Sequence, residues 1–386
     1  MADWHLKTSD DVLEELRCDG AAGLDPAEAA RRLADVGPNE LEERSGRRPL
    51  EILWEQLTAT MVLVLVVAAV ASAVLGKWQE AAAILAIVLL FAVLVVGHEV
   101  AGQRNWIEIA GPFRLQPSEI AKLALVVWGA TLISRRSDRV DSWRALLVPF
   151  LPVAVLMMGL VLAEGDFGNA LMLAAITMGI LFAAGAPMRL FAIMFGVGAA
   201  AIVMLSLAAP YRMARFTSWL NPGDDPLGFG WQVTQGQYAL GTGGWWGVGL
   251  GASREKWGTL PEAHTDFIFA VVGEELGLVG TITVLVLFGL LAFAIFRMAR
   301  SAQDSFVRLA AAGVGAWIVV QAVVNVGAVL GVLPITGVPL PLVSYGGSSL
   351  VPTLVALGML MGLAKSEPDA RRALRRRSTA QSLRRR

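Results

Sequence analysis

Nine apolar runs, each long enough or nearly long enough to cross a bilayer, constrain this 386-residue chain more than any other feature. They lie near 61–76, 81–97, 120–134, 148–163, 170–185, 190–209, 267–296, 308–334 and 350–364. A lipid-facing segment must satisfy its backbone polar groups internally, so runs of this length are read as helices. With 55% hydrophobic residues and a mean hydropathy of +0.60, the composition is too apolar for a soluble protein of this size. The expectation is an all-α polytopic membrane protein of about nine transmembrane helices, with a long extracytoplasmic loop and a small helical N-terminal module. The single cysteine, Cys18, excludes an internal disulfide and a cysteine-rich metal site. The first fifty residues are polar and carry no apolar signal region, so nothing at this end reads as cleaved.

Arginine sets the orientation, because it accumulates on the cytosolic side. Arg135, Arg136, Arg139 and Arg144 follow the third run, Arg189 follows the fifth, and Arg297, Arg300 and Arg308 surround the loop after the seventh. Arg371 to Arg377 follow the ninth. These alternate loops agree, which places the basic tail inside and the loop 210–266 outside. Counting back through nine spans puts the N-terminus outside, whereas Arg44, Arg47 and Arg48 before the first run argue that it is inside. Either one of the first two runs does not cross, or the front of the chain was not built for this bundle.

Residues 1–52 read as a small water-side helical module. Ser9-Asp10-Asp11 marks one helix start, and Asp25-Pro26 opens a second with Ala27, Ala30 and Leu33 on one face. Gly37-Pro38-Asn39 stops it. The module is too small to bury much core, so docking onto another surface is expected.

The most informative polar stretch is Thr259–Gly277, where a long loop becomes an apolar helix with Asp266 at the junction. Position alone favours Asp266 as a helix cap, since acidic residues suit helix N-termini. Glu262 and His264 lie within reach along the chain. Glu119 and Lys122, three apart at the start of the third run, share a helix face behind Pro117. Ionisable groups within a membrane helix point either to function or to a neutralised pair holding the bundle. Glu274 and Glu275 lie about 12 Å along the helix from Asp266, either lining a polar cavity or bonding neighbouring helices. Asp166 suits a turn. The glycines from Gly228 to Gly251 permit close backbone approach to a ligand, or mobility. Ser344-Tyr345-Gly346-Gly347-Ser348-Ser349 lacks the lysine of a phosphate-binding P-loop.

Residues from about 93 to 365 closely resemble the FtsW/RodA (SEDS) family, on its FtsW branch. The resemblance is carried by GHEVAGQRNWIEIAG at 97–111, QPSEIAKL at 116–123, DFGNA at 166–170, FTSWLNPGDDPLGFGWQVTQ at 216–235, LPEAHTDFIFAVVGEELG at 260–277 and LPITGVPLPLVSYGGSS at 333–349, in family order and spacing. Residues 4 to about 90 resemble instead the N-terminus of a P-type cation-transporting ATPase, through WHLKTSDDVLEEL, GLDPAEAARRLADVGPNEL and ILWEQLTATMVLVLVVAAVASAVLG. No DKTGT phosphorylation sequence occurs, so an ATP-driven cycle is not expected.

The chain thus reads as a fusion joined near 88–95: a pump-like helical module (1–52), a pump-like transmembrane hairpin (53–92), a SEDS core lacking the first two family spans (93–367) and a basic cytoplasmic tail (368–386). The SEDS resemblance implies a peptidoglycan glycosyltransferase that polymerises lipid II during septal wall synthesis, in the bacterial cell membrane, with its catalytic loop extracytoplasmic. It implies a class B penicillin-binding protein and other divisome proteins as partners; no nucleic-acid partner is expected. Asp266 matches the family's essential loop aspartate and would serve as general base. Arg215 matches a family position that would meet pyrophosphate, with interfacial snorkelling as its plain alternative; Arg254 and Lys256 are weaker cations for that task. Trp106 matches a functional family tryptophan, with interfacial anchoring as the alternative. Glu262, His264, Glu119, Lys122, Ser344, Gly346 and Gly347 complete the expected substrate-contacting set. A divalent cation, Mg2+ or Mn2+, would help neutralise pyrophosphate, and no ligand constellation in the sequence identifies one. A lipid II flippase, and a non-functional fusion of an ATPase N-terminus with a truncated FtsW, are the competing readings.

Overall fold

The computed structural model describes residues 25–36, 60–100, 103–110, 113–136, 143–207, 217–221 and 228–366, with isolated positions 8, 11, 13, 18, 23 and 213. The chain divides into two compact units, Met1–Arg48 and Pro49–Arg386. In the first, helix α1 (Pro26–Val36) begins where Asp25-Pro26 predicts. The Asp25 carboxylate accepts the Ala27 N–H at 3.4 Å, and Glu28 pairs with Arg32 at 2.8 Å. Ala27, Ala30 and Leu33 are exposed. Most of the helix expected from Ser9, and Arg44, Arg47 and Arg48, lie outside the described residues.

In the second unit each of the nine apolar runs is a helix. They are α2 (Thr60–Val74), α3 (Trp78–Val96), α4 (Pro117–Ser134), α5 (Trp143–Ala163), α6 (Phe167–Ala183) and α7 (Met188–Leu207). After α8 (Phe229–Gly243) in the long loop come α9 (Ile268–Ser301), α10 (Ser305–Val329) and α11 (Gly347–Ser366). Five of these, α3, α4, α9, α10 and α11, are long and apolar enough to cross a membrane. The protein is a polytopic helical membrane protein, with one addition the sequence reading lacks. Between α3 and α4 the chain forms an antiparallel meander of β1 (His98–Val100), β2 (Gln103–Ala110) and β3 (Phe113–Leu115).

α10 is the central helix. Of its apolar window 78% is buried, against 17% for α9, and it packs on α4, α6 and α9. Lipid is as apolar as the core, so close packing rather than transfer from water holds such helices together. Small residues supply that packing. Ala312 and Ala316 of α10, one turn apart, face Gly179 of α6, where an added Cβ would stand 2.6 Å from the Ala316 Cβ and 2.9 Å from the Ala312 carbonyl. Around this contact lie Trp317, Leu125, Phe150, Leu173, Ile176 and Ile180, all fully buried.

The helix ends separate into two faces of different chemistry. Arg135, Arg136, Arg189, Arg297, Arg300 and Arg308 mark one end, where Arg135 also pairs with Glu80 at 2.9 Å. The starts of α4, α6, α9 and α11 and the polar loops mark the other, called here the loop end. Replacing Gly179 by Val should wedge α6 from α10 and lower stability by about 1–3 kcal/mol, read as earlier thermal unfolding of the purified chain in detergent; an unchanged unfolding temperature would refute the tight contact.

Candidate functional site

Asp266 sits at the loop end, partly exposed, one residue before the N-cap of α9. That N-cap is Phe267, which has no side chain able to cap. Asp266 is held instead through its backbone. The carbonyls of three successive residues are each taken by a different donor. His264 O accepts from the Tyr345 N–H at 2.9 Å, Thr265 O from the Ser344 hydroxyl at 2.6 Å, and Asp266 O from the Asn325 amide at 2.7 Å. From the other side α8 grips the same segment, with Trp231 Nε1 donating to Thr259 O at 3.0 Å and Gln232 Nε2 to Pro261 O at 3.2 Å. Glu262 turns the chain in a left-handed conformation (φ 53°), uncommon for a residue with a Cβ. Its carboxylate accepts the Thr265 hydroxyl at 2.5 Å. The Asp266 carboxylate lies against Gly337, where an added Cβ would be 3.6 Å from Oδ2.

The segment opposite, 335–346, is fixed by two amides of α10 one turn apart. Gln321 Nε2 donates to Pro339 O and Asn325 Nδ2 to Val338 O, both at 2.8 Å. Both side chains are buried. Behind them lies the expected Glu119–Lys122 pair. Lys122 Nζ donates to Glu119 Oε1 at 2.8 Å and to Gln321 Oε1 at 3.4 Å, and stands 4.9 Å from the Trp317 ring centroid. With side chains 0% and 1% exposed, the two form an internal ion pair beneath the site, and this structure gives them no surface at which to touch substrate.

The loop between α8 and α9 folds onto α9 itself. α9 breaks at Gly277 (φ 65°, ψ −162°), and the loop backbone enters the break: Val248 N–H donates to Glu274 O at 2.9 Å and Leu278 N–H to Gly244 O at 2.9 Å. A Cβ on Gly277 would collide with the Gly247 nitrogen and one on Gly247 with the Glu275 carbonyl, so neither position has room for one. Glu274 accepts from Ser253 Oγ (2.5 Å) and the Arg254 N–H (2.9 Å), and Glu275 pairs with Lys256 at 2.6 Å. The glycines therefore bring backbone to backbone, and Lys256 is already engaged.

The structure brings Asp266, Glu262, His264 and Ser344 into one cluster, with His264 exposed and Ser344 buried. Gly346 and Gly347 adjoin it at the start of α11, where the Ser348 hydroxyl accepts the Gln116 N–H at 2.8 Å. Trp106 is half-buried on β2, paired in register with His98. Arg215 lies outside the described residues. Asp166, expected to make a turn, caps α6 by accepting the Asn169 N–H at 2.9 Å. It also accepts from Asn105 Nδ2 at 3.2 Å, Gln116 Nε2 at 2.9 Å and Asn169 Nδ2 at 2.9 Å. Its neighbour Glu164 is buried, and that burial, then the Asp166 charge, pushes its carboxyl up to about 9. Sequence reading missed Glu164, Asn105, Asn169, Gln321 and Asn325; the available signal was amide and acid side chains bordering or interrupting apolar runs. Among the described residues no group of three or more His, Cys, Asp or Glu side chains is placed to hold a metal.

The fold is thus a bundle of apolar helices with a polar cluster at one end, in which a partly exposed aspartate sits at the start of a long helix. The profile for the cell cycle proteins FtsW, RodA and SpoVE matches residues 51–368, and the chain belongs to that family. The profile for the cation transporter/ATPase N-terminus matches residues 4–72, overlapping the first over 51–72. The probable peptidoglycan glycosyltransferase FtsW of Mycobacterium tuberculosis is 44% identical over 291 residues, 75% of this chain and 55% of that protein. The chain thus spans little more than half the length of the mycobacterial relative. The corresponding protein of Thioalkalivibrio sulfidiphilus is 44% identical over 333 residues, 83% of this chain and 82% of that one. In structure, the chain is similar to one from a peptidoglycan synthase complex that coordinates polymerization and crosslinking, with TM-score 0.61, 29% identity, and coverage of 89% of this chain and 91% of that one.

Two outcomes test this geometry. Asn325→Leu removes the donor to two buried carbonyls and should cost about 1–3 kcal/mol, with faster proteolysis of the 259–266 segment; unchanged cleavage would show that the amide does not hold it. Lys122→Met strands the Glu119 carboxylate and should cost about 3–5 kcal/mol. Adding Glu119→Gln should recover most of that loss in thermal unfolding.

Proposed function

We propose that this chain is a peptidoglycan glycosyltransferase that polymerises lipid II, with Asp266 as the general base. One observation carries the reading: Asp266 is partly exposed and ends a segment, 259–266, whose backbone is clamped from α8, α10 and the loop before α11. Chain extension attacks an anomeric carbon with a sugar 4-hydroxyl and expels a lipid pyrophosphate. It needs a base for the hydroxyl proton, positioned at the membrane edge where the lipid carrier ends. The names of the relatives support the same chemistry.

The arginine-bearing end is the cytosolic one by the positive-inside rule, so the loop end faces outward in the bacterial cell membrane. A class B penicillin-binding protein is the proposed partner at the septum, in keeping with the synthase complex that the fold resembles. Within this proposal residues 1–52 and 53–92 are a pump-derived front end and 93–367 the synthetic core, followed by the basic tail 368–386. The front end adds no ATP-driven step, because the sequence holds no phosphorylation motif.

The test is lipid II polymerisation by the purified chain with a class B partner, beside Asp266→Ala. Loss of the base should lower the rate by about 10²–10⁴-fold while the variant unfolds at the parent's temperature. Equal glycan synthesis by both chains would rule out Asp266 as the base. Lipid II translocation without glycan from either chain would favour a flippase. Neither activity from a folded parent would favour a non-functional fusion.

A further inference from the structure

We propose that the turn joining α5 to α6 is a binding site for a hard divalent cation, Mg2+ or Mn2+, with Glu164 and Asp166 as its charged oxygen ligands. The starting observation is Glu164, 2% exposed, whose two carboxylate oxygens have no hydrogen-bond partner in the structure. A buried carboxylate is ordinarily paired, hydrogen-bonded or bound to a metal. The polar cluster around Asp166, two residues on, holds further unused acceptors. The amide nitrogens of Asn105 and Asn169 are directed to Asp166, and the Oδ1 atoms of both are buried without a partner. Gln116 likewise gives its amide to Asp166.

Positive charge is missing as well. Asp166 receives only neutral N–H donors, and among the described residues no Lys, Arg or His forms an ion pair with either carboxylate. Lys122, in the bundle's polar layer, is held by Glu119. Arg104 gives its backbone N–H to Glu164 O at 3.0 Å but sends its guanidinium to Leu94 O. Two carboxylates with amide carbonyls, completed by water, make an oxygen-only ligand set suited to Mg2+ or Mn2+ rather than to a soft metal.

A cation here would tie together β2, the start of α4 and the start of α6. Gly168, two residues after Asp166, packs against Val338 and the Thr336 carbonyl, where a Cβ would stand 2.9 Å from that oxygen. Those residues flank Gly337, which touches Asp266. The site would thus stiffen the wall beside Asp266 without contacting it, and its existence does not depend on which reaction Asp266 performs.

The experiment uses the full chain in detergent, stripped with EDTA and titrated with Mn2+. Binding is followed by loss of the free Mn2+ paramagnetic resonance signal and by thermal unfolding. The parent should bind one Mn2+ per chain, displaceable by Mg2+, and unfold at a higher temperature when loaded. Glu164→Gln should weaken binding by at least the roughly 10–100-fold that follows loss of a supporting group, and abolish the thermal shift. In EDTA the same variant should unfold at or above the parent's temperature, because it removes an uncompensated buried acid of equal volume. A parent that binds no Mn2+ at millimolar concentration would overturn the assignment, as would a Glu164→Gln chain that binds as tightly as the parent. Earlier unfolding of Glu164→Gln in EDTA would also overturn it, by showing that the carboxylate has donors of its own.

Discussion

Two side-chain amides on one turn of α10 hold the loop end in place. A buried segment without helix or strand must find partners for its carbonyls, because an unpaired buried carbonyl is costly. Gln321 and Asn325 provide them for Pro339, Val338 and Asp266. They sit on the most buried helix of the bundle, so their geometry is set by the packing of Ala312, Ala316 and Trp317 below them. The site inherits its precision from the core: α6 and α10 meet through small residues, α10 fixes the two amides, the amides fix two loops, and the loops present Asp266.

The same logic explains why the long loop is rich in glycine without being an open chain. Its backbone replaces the hydrogen bonds that α9 loses at Gly277. The break leaves carbonyls at Glu274 and Glu275, and the N–H groups of Val248 and Gly249 take them at 2.9 and 3.1 Å. Only residues lacking a Cβ allow two backbones to approach so closely, which is the role of Gly247 and Gly277. The carboxylates of Glu274 and Glu275 then lock the loop through Ser253 and Lys256. What looks from composition like a flexible ligand-binding loop is largely a splint on a broken helix.

The helices were legible in the sequence because their signal is local: nine apolar runs became nine helices, and Arg135, Arg136, Arg189, Arg297, Arg300 and Arg308 fell at one end. The order of the motifs likewise identified the family. The meander over His98–Leu115 was not legible, because its strands are short and its pairing depends on contacts across a turn. Within the site, Asp266, Glu262 and His264 were adjacent along the chain and so could be read together. Ser344 was legible as a motif member, but its bond to Thr265 O spans 79 positions. Gln321 and Asn325 lay hidden inside an apolar run, since an isolated amide in such a run says nothing of which carbonyl it will meet. Glu119 and Lys122 were correctly placed on one face; their complete burial depended on α10, which three-residue spacing cannot report.

The roles of the acidic groups at the loop end follow from what saturates each one. Glu274 accepts a hydroxyl and a backbone N–H, Glu119 pairs with an ammonium, and Asp166 accepts four N–H bonds. A carboxylate bonded in this way is held to one geometry. These three are buried within the bundle. Asp266 differs in being anchored through its carbonyl while the residue is partly exposed beside Gly337. The base proposed above would need a fixed backbone and a side that faces solvent, and among these four acids Asp266 alone is not buried.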